Sequence, residues 1–433
     1  MEISSTQKFL QDNNSRLKHS LVVNLGCPKN QVEAEKLCYV LRQNGINVIQ
    51  ENNQEYNAVW INTCCFVDSA RQETFETIAQ YYDNENIEVI IFGCFATKYG
   101  ELLKQSFPKA TLITNKDFLM EDHSTSRILS NPYSAYLKIA EGCNRSCKFC
   151  IIPSIKGPFV SYSEEKILHE ATLIKQSYPI QEIILIAQDT QAYGSDQASK
   201  NINLLSLVKK LDALNLFKWI RVMYLFPTAQ YEYLDELLSV PSVVPYIDIP
   251  LQHTVPRILS SMNRPDDIDK MLYTLHQLRK KYQDLTIRST FIVGYPGEKL
   301  NDFESLCQTL EAFKFDRAGF FAYSDEKDAP SSKLKDKVDD HEKNRRLQHA
   351  YALQESISLT QNNHLLHKQL PVLLESWNPI NRIFCGRTPK DAPEIDQHIL
   401  ISAPSPSYAR KLGSIITATV TKAHPFHIEG IFS

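Results

Sequence analysis

Between about residue 135 and residue 335, short apolar runs alternate with stretches of helical periodicity. This alternation limits the fold more than any other feature of the 433-residue chain. Six strand candidates come in order, at 136–139, 182–187, 220–225, 246–249, 287–293 and 318–323. Helical segments at 164–176, 204–214, 267–282 and 302–313 separate most of them. Strands joined through helices pair in parallel, because a tight hairpin is not available to them. Six such units fall short of the closed eight-fold barrel, so a partial (β/α)6 barrel is expected.

Residues 20–115 show the same alternation, with apolar runs at 21–25, 58–61 and 88–92. Ala34, Leu37, Cys38 and Leu41 repeat at helical spacing between the first two. An N-terminal parallel α/β domain is therefore expected ahead of the barrel. Residues 122–134 are polar, include Asn131-Pro132, and read as a linker. A charged stretch at 325–346 leads into a helix reaching about Leu366. Beyond Gln369 the runs 371–374, 382–384, 399–401 and 415–420 are short and β-rich, which suits a small C-terminal β-barrel. The fold class is α/β, with domains at 19–130, 131–365 and 366–433.

The chain is 43% hydrophobic and 22% charged, which excludes a disordered or collagen-like protein. No apolar run reaches the ~18 residues of a membrane span. Residues 1–8 lack the apolar core of a signal peptide, so the cytoplasm is the expected compartment. The net charge of −3 argues against a general nucleic-acid binder. The C-terminal barrel has seven Lys/Arg against five Asp/Glu, too small a surplus to imply RNA by charge. The run Lys343-Asn344-Arg345-Arg346 reads as a solvated helix face.

Ten cysteines stand at 27, 38, 64, 65, 94, 143, 147, 150, 307 and 385. A reducing compartment makes a disulfide framework improbable. Cys143, Cys147 and Cys150 follow the first barrel strand within eight residues. Three thiolates at that spacing can wrap one iron–sulfur cluster and leave one iron open. A structural zinc site would want a fourth local ligand, and none stands at a usual offset. Gly142 would let the loop backbone approach the metal.

Cys27, Cys64 and Cys94 are far apart in sequence, yet each ends an expected parallel strand. Carboxyl ends of parallel strands form one edge, so the three thiols can converge there. Gly26 and Gly93 would permit tight turns before two of them. Cys65 could stand in for Cys64, but neighbours on an extended chain point oppositely and Cys64 is favoured. Cys38 and Cys307 lie on apolar helix faces and read as core.

The Cys-x-x-x-Cys-x-x-Cys loop after the first strand of a partial barrel resembles the radical S-adenosylmethionine superfamily. A three-cysteine α/β domain before it and a small β-barrel after it resemble the methylthiotransferases, with a TRAM-like last domain. Gly26-Cys27-Pro28-Lys29-Asn30 resembles the branch acting on ribosomal protein S-twelve rather than the transfer-RNA branch. Further matches are 188–194 (Gln-Asp-Thr-Gln-Ala-Tyr-Gly), 248–253 (Asp-Ile-Pro-Leu-Gln-His), 288–294 (Arg-Ser-Thr-Phe-Ile-Val-Gly) and 391–396 (Asp-Ala-Pro-Glu-Ile-Asp). The sequence departs from the family at Cys65, where glycine is usual.

The resemblance implies two 4Fe-4S clusters and S-adenosylmethionine. The cluster on Cys143, Cys147 and Cys150 would generate a 5′-deoxyadenosyl radical. The cluster on Cys27, Cys64 and Cys94 would carry the sulfur. The product would be a methylthio group on the β-carbon of an aspartate in ribosomal protein S-twelve of the small subunit. A cellular electron donor is implied as a partner, and no membrane. Gln188, Arg288, Gly294 and Gly297 are the expected cofactor contacts. His253 is more often a capping or packing histidine than a ligand. The rivals are a transfer-RNA adenosine methylthiotransferase and a zinc-stabilised RNA-binding module without catalysis.

Overall fold

The computed structural model describes residues 9–10, 12–13, 16–49, 55–114, 126–200, 202–228 and 230–433, with residues 198–200 described by backbone alone. The N-terminal residues 1–8 and part of the expected linker, 122–125, lie outside the described residues. The chain forms two compact units. One comprises Met1–Ser130, Tyr136–Arg145 and Ile151–Ile174; the other comprises Asn131–Ala135, Ser146–Cys150 and Lys175–Ser433.

The first unit is built on β1 (His19–Asn24), β2 (Asn47–Ile49), β3 (Ala58–Thr63), β4 (Glu88–Gly93) and β5 (Thr111–Leu112), all parallel. Their order is β2-β1-β3-β4-β5. Central β3 is buried along its whole length, hence its unbroken run Ala-Val-Trp-Ile-Asn-Thr rather than an alternating one. Trp60 donates to Ser20 Oγ and packs with Leu10, Leu17, Leu37, Leu41 and Phe92. Cys38 belongs to the same core, and burial raises its thiol to about 12. Connecting helices are α1 (Pro28–Gln43), α2 (Asp68–Tyr82) and α3 (Cys94–Ser106). The sequence runs anticipated β1, β3 and β4. The edge strands β2 and β5, three and two residues long, are too short to show periodicity.

The second unit begins at β6 (Ser134–Lys138), whose first two residues belong to it. Between β6 and the next barrel strand the chain forms the short pair β7 (Ala140–Glu141) and β8 (Val160–Ser161), with α4 (Ile152–Lys156) between them and α5 (Glu164–Ser177) after, mostly in the first unit. Then come β9 (Glu182–Ile186), α6 (Leu204–Ala213), β10 (Trp219–Val222), α7 (Tyr231–Leu238) and β11 (Tyr246–Asp248). The chain continues through α8 (Pro256–Ser261), α9 (Ile268–Lys281), β12 (Thr286–Val293), α10 (Leu300–Phe313) and β13 (Arg317–Ala322). Strands β9 and β10 pair in parallel, as do β11 with β12 and β12 with β13. Bonds from Val244 N to Ile220 O and from Leu225 N to Asp248 O join the two sets. The strands thus follow one another in sequence order, as a partial barrel requires.

After α11 (Asp340–Asn363), strands β14 (Gln369–Asn378), β15 (Ile383–Arg387), β16 (His398–Ser402), β17 (Ile415–Ala423) and β18 (His427–Phe432) close a barrel in the order β14-β15-β16-β18-β17. Val372, Leu374, Phe384, Ile401, Val420 and Ile428 fill it. Its segment 387–396 is bound to the amino-terminal ends of the (β/α) strands by buried ion pairs. Glu182, the first residue of β9, meets Arg221 and Arg387, both at 2.7 Å. Arg317, the first of β13, meets Asp391 at 2.6 Å, and Tyr246, the first of β11, donates to Asp396 at 2.6 Å.

The basic run on α11 is not a solvated face. Arg346 is buried against Glu298 at 2.7 Å, and Lys343 lies over the Tyr323 ring; only Arg345 keeps an open guanidinium, paired with Glu342. Among the described residues no helix is long and apolar enough to cross a membrane.

Candidate metal centres

In the first unit the strand order turns back between β1 and β3, and such a reversal opens a crevice beyond the strands' carboxyl ends. The three N-terminal cysteines are delivered there by the chain. Cys27 caps α1, Cys64 follows β3 directly, and Cys94 opens α3. Two of the thiols therefore sit at helix amino termini.

Asn30 in the first turn of α1 ties the site together. Its Nδ2 donates to Leu25 O at 3.0 Å and to Thr63 O at 3.2 Å, fixing the ends of β1 and β3. Its Oδ1 faces Cys27 Sγ at 3.8 Å and Cys94 Sγ at 3.7 Å, so two thiols share one acceptor. Cys64 joins them from the other side: a Cβ on Gly26, at φ +97°, would lie 2.8 Å from Cys64 Cβ and 3.0 Å from its Sγ. Only glycine allows that approach. Cys65 is fully buried next door. Burial raises the Cys64 thiol, and raises Cys94 well above its usual range.

The donor set suits a cluster better than a lone ion. Zinc would draw its ligands within about 2.3 Å of itself. Among the described residues only His424, His427 and Glu429 bring three ligand atoms within 4.8 Å of one another, so these three thiols are more widely set. Three thiols with no fourth protein ligand suit a cluster, which is held by cysteine thiolates, better than a four-ligand structural zinc site. The histidine group is no rival site. Its rings stack face to face at 4.2 Å and 11°, which prevents both from aiming a nitrogen at one ion, and Glu429 is taken by Lys422.

Each half of the second cysteine loop is held by its own unit. In the first unit Cys143 N donates to Gly157 O, and Arg145 N donates to Cys143 Sγ at 3.4 Å. Gly142 is required there, because a Cβ would lie 2.1 Å from Pro158 O. The close approach seen here is to the backbone of Gly157 and Pro158. In the second unit Cys150 N donates to Cys147 O, and Lys148 is bonded through its backbone to Met262 and Ser331. Phe149 packs against Ile258, Met262, Tyr295 and Tyr323 and anchors the loop. Arg264 donates to Cys147 Sγ at 3.7 Å. It is 117 residues away in sequence, and nothing local marks it.

Of the expected cofactor contacts, Gln188 lies just past the carboxyl end of β9, half-buried. Gly294 and Gly297 follow β12, but their N–H groups are already used. Gly294 N donates to Glu298 Oε2 at 2.8 Å and Gly297 N to Asp336 O at 2.8 Å, while Lys343 covers Gly294. His253 is buried and accepts from Val255 N at 3.0 Å, a turn cap.

Arg288 is corrected. It is the third residue of β12, roughly 16 Å below the strand's carboxyl end at about 3.3 Å per residue. Its guanidinium is taken by Asp248 at 2.9 Å and Asp396 at 3.3 Å. Burial works to lower its pKa, and Asp248, Tyr246 and Asp396 together reverse that and raise it. It is part of the ionic tie to segment 387–396, not a cofactor contact.

The radical SAM superfamily profile matches residues 137–310, that of an uncharacterized protein family, UPF0004, matches 19–115, and the TRAM domain profile matches 368–432. A ribosomal protein uS12 methylthiotransferase RimO of Mannheimia succiniciproducens is 35% identical, over 94% of this chain and 96% of its own. The proteins of that name from Carboxydothermus hydrogenoformans and a Thermoanaerobacter species are 34% and 35% identical, over 95% and 96% of this chain and 98% and 100% of their own. Among solved structures, the radical S-adenosylmethionine methyltransferase TsrM from Kitasatospora setae is 12% identical with a TM-score of 0.48, covering 70% of this chain and 75% of that one.

Proposed function

Because the chain belongs to the ribosomal protein uS12 methylthiotransferase family, we propose that it places a methylthio group on the β-carbon of an aspartate in that ribosomal protein by radical S-adenosylmethionine chemistry. The observation that carries the reading is the meeting of Cys27, Cys64 and Cys94 around Asn30 and Gly26, in a chain that also holds the Cys143–Cys147–Cys150 loop. A radical enzyme that only cleaves S-adenosylmethionine has no use for the first trio; a sulfur-transferring one does.

In this reading Cys143, Cys147 and Cys150 hold one 4Fe-4S cluster and Cys27, Cys64 and Cys94 hold the second. When bound, these clusters and S-adenosylmethionine supply hydrogen abstraction from an unactivated carbon and a transferable sulfur, which no side chain can do. The chain's own residues prepare for them. Asn30 fixes the ends of β1 and β3 and orients two thiols. Arg264 holds the Cys147 sulfur through a hydrogen bond. Phe149 keeps the loop anchored in the core. Gln188 remains the candidate cofactor contact. Residues 19–130 serve as the sulfur-bearing domain, 131–365 as the radical core and 366–433 as the TRAM-like barrel. A cellular electron donor completes the system, and the enzyme works in the cytoplasm where ribosomal proteins are assembled.

The transfer-RNA reading is not favoured: the relatives above carry the uS12 name, and the C-terminal barrel is barely basic. Anaerobic reconstitution followed by incubation with reductant, S-adenosylmethionine and uS12 tests the reading. Mass spectrometry should find a methylthio group on one aspartate of uS12 and none on a transfer RNA treated in parallel. Modification of the RNA alone would overturn it.

A further inference from the structure

Past the end of β11 the chain runs Ile249-Pro250-Leu251-Gln252-His253-Thr254. Leu251 is 2% exposed and His253 0%, so both neighbours of Gln252 are fixed in the core, and His253 also caps the turn through Val255 N. Gln252 itself is half-buried. Its backbone stands at φ +74°, in the left-handed region that residues with a Cβ ordinarily avoid. Two bonds to β12 hold it there: Gln252 N donates to Thr290 O at 2.8 Å, and Gln252 O accepts from Ile292 N at 2.8 Å. They set Gln252 beside Phe291, the sixth of the eight residues of β12, and so toward the strand end where barrel chemistry takes place. Glycine would adopt this conformation freely. Glutamine stands there instead, and its carboxamide makes no hydrogen bond to any described residue. A strained residue whose polar group does nothing for the fold points to a contact outside the fold.

The same segment is tied to the cysteine loop. Pro250 O, two residues before Gln252, accepts from Arg264 Nη2, while Arg264 Nη1 donates to Cys147 Sγ at 3.7 Å. The guanidinium lies over the Phe226 ring at 4.3 Å. Both of its terminal nitrogens are thus engaged in holding the segment beside Cys147. Gln252 is left as a nearby donor with an uncommitted amide. Hydrogen removal from the β-carbon of an aspartate leaves the carboxylate one bond from the reacting carbon. That carboxylate enters a water-poor site and needs donors to replace its hydration. A carboxamide offers two N–H groups and no charge of its own.

We propose that Gln252 selects the substrate side chain, its Nε2 donating to the carboxylate of the uS12 aspartate that is modified. The inference deepens the reaction proposed above and rests on it. The backbone bonds to β12 and the buried flanks aim the amide before the substrate arrives, so the contact forms without reorganisation. Because the amide donates and the carboxylate accepts, exchanging the two groups across the contact preserves the hydrogen bond, whereas changing one of them alone does not.

That exchange is the test. Full-length protein is reconstituted anaerobically and supplied with reductant and S-adenosylmethionine. Its substrates are uS12 and uS12 carrying asparagine in place of the modified aspartate. Gln252→Ala should raise KM for uS12 at least about ten-fold, as loss of one hydrogen bond to a charged group implies, and leave S-adenosylmethionine affinity unaltered in equilibrium dialysis. Gln252→Glu should invert the preference, with kcat/KM higher for the asparagine form than for the aspartate form. Urea unfolding separates this role from a structural one: Gln252→Gly should unfold at higher urea than Gln252→Ala, because the strain leaves with the Cβ, yet share its raised KM. Weakened S-adenosylmethionine binding with KM for uS12 unmoved would make Gln252 a cofactor contact and overturn the proposal. An unchanged aspartate preference in Gln252→Glu overturns it too, as does a Gln252→Gly protein less stable than Gln252→Ala. If the unsubstituted enzyme leaves uS12 unmodified, the proposed function itself fails; if it modifies uS12 and the variants behave like it, only the role of Gln252 fails.

Discussion

Replacing Asn30 tests whether the N-terminal thiols are organised as a site. The side chain is 1% exposed and donates two hydrogen bonds, to Leu25 O and Thr63 O. Alanine forfeits both and leaves two carbonyls short in a buried turn. Each bond is worth ~1 kcal/mol net, and a stranded buried acceptor costs ~1–3 kcal/mol. With two acceptors stranded the loss is about 2–6 kcal/mol, concentrated where β1 and β3 end. Against a typical stability of ~5–15 kcal/mol the fold survives. The thiols, however, lose their common anchor, so their hold on a metal centre should weaken. Asn30→Asp is sharper, because it keeps the shape but points a carboxylate at two carbonyls and two sulfurs. In the background lacking Cys143, Cys147 and Cys150, iron per chain after anaerobic reconstitution and desalting should fall in Asn30→Ala and vanish in Asn30→Asp. Circular dichroism should stay unchanged. Full iron in Asn30→Asp would refute the argument that this residue arranges the donors.

Cys64→Ser should abolish the N-terminal centre while Cys65→Ser leaves its iron intact, as elemental analysis of the two variants will show; the reverse pattern would transfer the ligand role to Cys65. Arg288→Met strands Asp248 and Asp396, so it should lower stability by about 3–5 kcal/mol in denaturant titration and leave S-adenosylmethionine affinity unaltered in equilibrium dialysis. Burial holds Lys36 down to about 8 from 10.5. A folded-state pKa below the unfolded one means that the unfolded chain binds the proton more tightly, so stability should rise as pH climbs from about 8 to about 10.5. Lys36→Met should remove that slope and stabilise the protein at pH 7 by up to about 3 kcal/mol, read from urea curves at several pH values.

Much of the architecture is local information. A parallel strand buried on both faces must be apolar along its length, so β3 and β4 announce themselves, and the cysteines directly after them are placed by the chain. Three thiols at corresponding strand ends needed no knowledge of register. What escaped notice depends on distant partners or on lengths too short to carry a period. Strands β2 and β5 are of the second kind. Lys343 and Arg346 are of the first: a basic run reads as solvated until Glu298, 48 residues earlier, is found beside Arg346. Arg264 is another, since only the fold brings it to Cys147. The buried polar start of α1 had a weaker signal. Lys29, Asn30, Gln31 and Glu33 follow Cys27 and Pro28 almost without an apolar residue, yet the helix must pack on a sheet. Polar residues in that position belong to a site rather than to solvent.

Arg288 shows why a matching motif is not enough to assign a role. The stretch 288–294 runs nearly the length of β12, and a β/α strand has two ends with different duties: chemistry at the carboxyl end, stability at the amino end. A linear match spans both and cannot distinguish them. Register does. Arg288 stands opposite Asp248 on β11 and Arg317 on β13, among charges that meet the segment 387–396, whereas Gly294 lies past the strand at the other end. One short stretch therefore contributes to two independent properties. Substitution at 288 should move the melting curve, and substitution at 294, where a new Cβ would meet Lys343 at 2.2 Å, should disturb the turn held by Glu298 at the opposite end of the strand. Since the two positions share no partner, their effects on stability should add, as expected for independent sites. Strong non-additivity between Arg288→Met and Gly294→Ala would mean that the strand transmits strain from one end to the other, and the separation of duties argued from register would not hold.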